Sequence, residues 1–162
     1  MREIDRIVDE LTRAVDGDPW HGPSMQAALE GVDLVTANAR PLAGAHTIGE
    51  LVLHMTAWTR EITRRLRSGV AQDPADGDWP PARFSTEEQW QDAVARLMSA
   101  NAELISAIQQ VDEAELDVRI GDARDRSLGS GVSRYVTLHG IVQHHAYHSG
   151  QISLLRAARR HQ

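Results

Sequence analysis

The sequence predicts an all-α fold, a four-helix bundle with long connecting loops. Four stretches carry apolar residues at three- and four-residue spacing, and Gly-, Pro- and Asp-rich breaks separate them. No useful length alternates with period two, as a half-buried strand would. At 162 residues the chain suits a single domain, 1–162, able to bury about two thirds of its unfolded surface.

The first helix is expected from Arg2 to Val15, with Ile4, Ile7, Val8, Leu11 and Val15 on one stripe. Gly17-Asp18-Pro19 ends it. A short helix from Ser24 to Glu30 follows, then a loop through Arg40-Pro41-Leu42-Ala43-Gly44. Thr47 and Glu50 form a capping box, in which each side chain satisfies a free backbone amide. It opens a second long helix whose apolar face is Ile48, Leu51, Val52, Met55, Trp58, Ile62 and Leu66, ending at Ser68-Gly69.

Gln72 to Phe84 carries three prolines and several aspartates, so it is a loop. Ser85 and Glu88 read as a second capping box. The third long helix then carries Trp90, Val94, Leu97, Met98, Ala102, Leu104, Ile105 and Ile108. It fades near Val111-Asp112, with one more turn around Glu113 to Leu116. Asp117 to Gly131 is loop with a short extended piece, and the last helix runs from Ser133 to Arg159.

A formal charge of −6 and a pI near 5.7 argue against nucleic-acid binding, which needs a dense basic face. Arg60, Arg64, Arg65 and Arg67, and again Arg156, Arg159 and Arg160, fall near helix ends, where cations meet the negative end of the dipole. Cysteine is absent, which excludes disulfides, cysteine-ligated zinc and a protein thiol nucleophile. The start, MREIDRIVDELTRAV, mixes charges with apolar residues and reads as neither signal nor membrane span. No run of about 18 apolar residues occurs, so the expectation is a cytoplasmic protein with no membrane partner.

Chemistry concentrates in Gln143-His144-His145-Ala146-Tyr147-His148-Ser149-Gly150-Gln151-Ile152. Imidazoles at i and i+4 sit one turn apart on one helix face and can grip one divalent ion. On a helical wheel His148 falls inside the sector of Leu138, Ile141, Val142, Ile152 and Leu155, and His145 lies near its centre. His144 lies at its border, beside Gln151. In the second helix His54 also lies at a border, between Leu51 and Trp58 on one side and Glu50 on the other. A His from each helix thus faces one edge of the bundle, where a third ligand completes three corners of a tetrahedron and leaves the fourth open.

Periodicity does not choose between His144/His148 and His145/His148; the unused histidine is expected to be half-exposed. His139 points well away from His148, and His21, His46 and His161 lie near loops or the terminus. Glu50, one turn before His54, is a candidate hydrogen-bond acceptor that would orient its imidazole, although the capping box already accounts for it. Gln151 is placed to bond a bound water or a neighbouring helix, and Tyr147 to pack or form an interface. Trp20, Trp58, Trp79 and Trp90 read as core or loop anchors, with Trp58 able to wall a pocket.

No Glu has a His three residues later, which excludes the di-iron pattern. His145 stands where a zinc peptidase of the His-Glu type needs its glutamate. Three neutral imidazoles suit Zn, Ni, Cu or Fe(II). Such an ion activates water or binds a thiolate. Since the chain has no sulfur nucleophile, thiol chemistry requires a small-molecule thiol as co-substrate.

Thr47-Ile48-Gly49-Glu50-Leu51-Val52-Leu53-His54-Met55-Thr56-Ala57-Trp58 and the run from His139 to Ile152 resemble the DinB/YfiT-like superfamily, as do Trp20-His21-Gly22-Pro23-Ser24 and Arg40-Pro41. The resemblance implies a four-helix bundle, often a homodimer, with a metal held by His54, His144 and His148. His145 falls where relatives often carry another polar residue. The implied ion is Zn or Ni, with Fe or Mn as alternatives. Activities of the family include metal-dependent transfer of low-molecular-weight thiols such as bacillithiol, mycothiol or glutathione, and an isomerase that uses mycothiol. Many members have no assigned reaction, and the damage-inducible label describes expression. The expected function is therefore metal-dependent thiol transfer to an electrophilic small molecule, with a water-activating hydrolase or a non-catalytic stress protein as rivals.

Overall fold

The structure, a computed structural model, describes residues 1–122 and 131–160. Its long helices are α1 (Glu3–Val15), α4 (Ile48–Ser68), α5 (Glu87–Gln109) and α6 (Arg134–Arg160), with short α2 (Met25–Leu29) and α3 (Leu34–Asn38) between the first two. The all-α expectation holds. His161 and most of the Asp117–Gly131 stretch expected as loop lie outside the described residues.

Each helix starts for a readable reason. At α4 the Thr47 hydroxyl accepts from the Glu50 amide at 3.1 Å, and the Glu50 carboxylate accepts from the Thr47 amide at 2.7 Å. Gly69, with φ of 70°, closes the helix in the left-handed conformation, which glycine adopts at no steric cost. The start of α5 is shifted one residue from the expected Ser85/Glu88 box. Thr86 is the cap, accepting from the Gln89 amide, while Gln89 Oε1 reaches back to the Ser85 amide at 2.8 Å. Thr86 and Gln89 have the same three-residue spacing, but Gln89 bonds the amide before the cap and not the cap's own, so the reciprocal box does not close. Helix α3 was not anticipated; it is five residues long and held by Asp33 accepting from the Thr36 amide at 2.8 Å.

Ile4, Ile7 and Leu11 of α1, Val52 and Met55 of α4, Trp90, Leu97 and Leu104 of α5, and Leu138 and Ile152 of α6 are fully buried. Each such side chain contributes about 1.5–3 kcal/mol relative to exposure. Helix α4 packs most extensively on α5, and α6 lies against both α4 and α1. Trp90 is a core anchor, and its indole N–H donates to the Val32 carbonyl oxygen at 2.6 Å. Trp20, in contrast, is fully exposed and anchors nothing.

The expected extended piece exists as a two-residue parallel ladder, β1 (Val70–Ala71) on β2 (Gly121–Asp122). The arginines at the end of α4 do more than meet a helix dipole. Glu61, with its side chain 1 % exposed, accepts from Arg64 and Arg65 at 2.8 Å. It also accepts from the Gln72 amide at 3.0 Å, while Arg65 donates to the Gln72 carbonyl oxygen. A buried carboxylate thus ties the start of the 72–84 loop to α4. At the far end of that loop the Phe84 ring lies against Gly49, where a Cβ would stand 2.7 Å from it. Loop 72–84 is fixed at both ends and crosses α4 between them.

Candidate metal centre

His54 of α4 meets His144 and His148 of α6 beneath that loop. The Nε2 atoms of His54 and His144 are 3.0 Å apart, and the His148 ring centroid lies 4.8 Å from that of His54 and 4.4 Å from that of His144. One ligand atom from each residue falls within 4.8 Å of the others. Among the described residues no fourth His, Asp or Glu joins the group.

Local bonds decide which nitrogen each ring offers. His54 Nδ1–H donates to the Asp78 carbonyl oxygen at 2.6 Å, which leaves the Nε2 lone pair facing α6. His148 Nδ1–H donates to Gln151 Oε1 at 2.6 Å with the same consequence. Gln151 therefore fixes a ring one turn away on its own helix.

Burial pushes His144 down to about 3, and the nearby His148, His145 and His54 push in the same direction. Burial also lowers His148, aided by His54 and His46 and opposed by the bond to Gln151. The α6 pair is therefore neutral near pH 7, the form that binds metal.

The donor set fits a divalent ion. Two lone pairs at 3.0 Å repel unless a proton or a cation lies between them. A tetrahedral ion with bonds near 2.0–2.1 Å holds its nitrogens about 3.4 Å apart, close to this spacing. Two of the three rings already have the backbone or amide acceptor that metal-bound histidines use. His144 Nδ1 is buried without a hydrogen-bond partner.

His145 is not half-exposed as expected but completely buried. Its Nε2–H donates to Asn101 Oδ1 at 2.7 Å, and Asn101 Nδ2 donates to the Leu97 carbonyl oxygen. The residue turns into the core against α5, away from the cluster. Its wheel position near the centre of the apolar sector was the correct signal.

Glu50 does not serve His54. Its carboxylate accepts from the Thr47 amide, from Arg40 Nη2 at 2.7 and 3.0 Å, and lies 3.2 Å from His46 Nδ1. Burial raises its pKa, but the Thr47 and Arg40 bonds outweigh this and leave it lowered. The acceptor for His54 is Asp78, whose Oδ1 also accepts from the Trp58 indole N–H at 2.7 Å.

Trp79 completes the cover. It stacks on His54 with centroids 3.9 Å apart and on His46 with centroids 3.5 Å apart, both nearly parallel. Two rings that close to one centroid must occupy opposite faces, so Trp79 is sandwiched between them. His46 lies outside the ligand cluster and covers the other face of Trp79, holding the loop down.

Comparison with known proteins places the family and the fold. The family model of the DinB superfamily matches residues 20–152, which include all three histidines and the covering loop. The chain belongs to the DinB superfamily. Among solved structures, this DinB-superfamily chain is similar to a conserved protein from Enterococcus faecalis at 18% identity and a TM-score of 0.71. That likeness covers 100% of this chain and 99% of the other, and it shows the fold. No curated protein matches the chain.

Proposed function

We propose that this chain is a metal-dependent enzyme that joins a low-molecular-weight thiol to an electrophilic small molecule, its ion held by His54, His144 and His148. The observation that carries the reading is the convergence of three imidazoles with no fourth protein ligand among the described residues. Three-ligand histidine sites suit catalysis, whereas structural sites take four. A divalent ion bound there lowers the pKa of a coordinated thiol, so that thiolate dominates at neutral pH. The chain has no cysteine, so the sulfur comes from outside.

The protein's own residues supply orientation and shelter. Asp78 and Gln151 hold His54 and His148 with Nε2 inward. Trp79 shields one face of His54 from water. Zinc or nickel is the proposed ion, with iron or manganese as alternatives; the all-imidazole donor set disfavours manganese, which prefers oxygen ligands. A homodimer in the cytoplasm belongs to the same proposal, supported by the family resemblance. No helix among the described residues is long and apolar enough to cross a membrane.

The test is direct. Metal-loaded protein is incubated with bacillithiol, mycothiol or glutathione and the electrophile monochlorobimane. The expected result is a thiol-dependent conjugation rate well above that of His54→Ala. A rate equal to that control with every thiol rejects thiol transfer; ester hydrolysis under the same conditions then selects the hydrolase reading.

A further inference from the structure

On another side of α4 the loop 72–84 roofs a second cavity, a cleft of about 450 Å³ between α4 and α5. Arg60 reaches it from α4 and Arg96 from α5, with Asp76 on the loop side. Arg60 and Asp76 are 3.5 Å apart, and both side chains are more than half solvated or nearly so. Arg96 directs Nε to the Asp92 carbonyl oxygen at 3.2 Å and has no carboxylate partner among the described residues. The cleft is therefore lined by two arginines and one aspartate, in a chain whose formal charge is −6.

Its remaining walls are mainly apolar, formed by Leu53, Pro80, Phe84 and Ala93, with Thr56, whose hydroxyl is spent on the Val52 carbonyl oxygen. Guanidinium forks match carboxylates through two parallel bonds. An apolar wall beside such a fork selects a ligand with a hydrocarbon portion behind its charge. We propose that this cleft binds a small organic carboxylate, with its carboxylate between Arg60 and Arg96 and its apolar part against Leu53 and Phe84.

This site is separate from the histidine cluster. At about 100° per residue, Leu53 and Arg60 lie roughly 100° and 120° around α4 from His54, so they face away from α6. The two sites nevertheless share the loop. Asp76 pairs with Arg60, and two residues later Asp78 holds both His54 and Trp58. A carboxylate that replaces Asp76 at Arg60 acts on the segment covering the histidines. The inference does not depend on whether those histidines carry chemistry.

The experiment titrates benzoate into the full chain at constant ionic strength and follows backbone amide shifts. Saturable shifts are expected at residues 76–80 and 91–96, and none with the uncharged analogue benzamide. Arg96→Ala and Arg60→Ala should each weaken binding about tenfold or more, the effect of losing a charge-assisted bond. Arg96→Lys, which keeps the charge and loses the fork, should fall between. Non-saturating shifts, equal binding of benzamide, or undiminished binding by Arg96→Ala overturns the proposal. Saturable shifts confined to residues around His54, His144 and His148 overturn it as well, because the carboxylate would then sit at the histidine cluster.

Discussion

Trp79 lies flat on His54, with ring centroids 3.9 Å apart and planes 9° from parallel, and its opposite face is covered by His46. A candidate metal ligand is thereby shielded by a loop side chain that is itself clamped. Trp79→Ala should leave the helices intact, since the side chain is 37 % exposed and outside the core. It should accelerate loss of bound zinc to a chelating dye by about tenfold, at the low end of effects seen for groups supporting a metal's ligands. An unchanged release rate would show that the indole gives no protection.

Two adjacent histidines should behave in opposite ways. His144→Ala should abolish stoichiometric metal binding and cost little stability. His145→Ala should retain the metal and lower stability by about 1–3 kcal/mol, because Asn101 Oδ1 loses its donor in the core. Elemental analysis and thermal melts on the two variants check both arms. The reverse pattern would move the ligand role to His145.

Metal removal should leave the helices formed. The core of α1, α4, α5 and α6 is built from aliphatic and aromatic side chains that no ion organises. Circular dichroism before and after dialysis against a chelator should show the same helical signal and a lower melting temperature. Collapse of that signal would assign the ion a structural role.

Acid should destabilise the protein through Glu61. Burial raises its pKa, but the bonds from Arg64, Arg65 and the Gln72 amide prevail and leave it lowered. A carboxylate with a depressed folded-state pKa stabilises the fold above the unfolded value of about 4.3. That contribution is lost as pH falls below this value through the folded one. Melting temperature recorded from neutral pH downward should drop in that window, and Glu61→Gln should flatten the drop. Equal slopes for the two proteins would exclude Glu61 as its source.

Much of the helical architecture was legible because its signals are local. The Thr47–Glu50 cap and the His144/His148 spacing lie within one turn each, and the period of 3.6 turns them toward known faces. The choice of His144 over His145 was legible only through the family resemblance, although the wheel already placed His145 at the centre of the buried sector. Asp78 and Trp79 were not legible as parts of the site. They lie in a stretch without periodicity, 24 and 25 positions beyond His54, and reach it only because Glu61 and Gly49 fix the ends of the loop. Glu50 misled for a related reason: its proximity to His54 along α4 is real, but Arg40 and His46 claim its oxygens from outside the helix.

The His145–Asn101 bond has a consequence for how the protein can change over time. Together with the buried Leu138, Ile141, Ile152 and Leu155 it sets the rotation of α6 about its own axis, and that rotation aims the neighbouring imidazole at α4. Swapping both partners for leucine would make a greasier interior, yet would remove the one directional contact among otherwise interchangeable apolar ones on that face. Mutational drift toward robustness at this point would therefore erode the alignment of the cluster without touching any of its members.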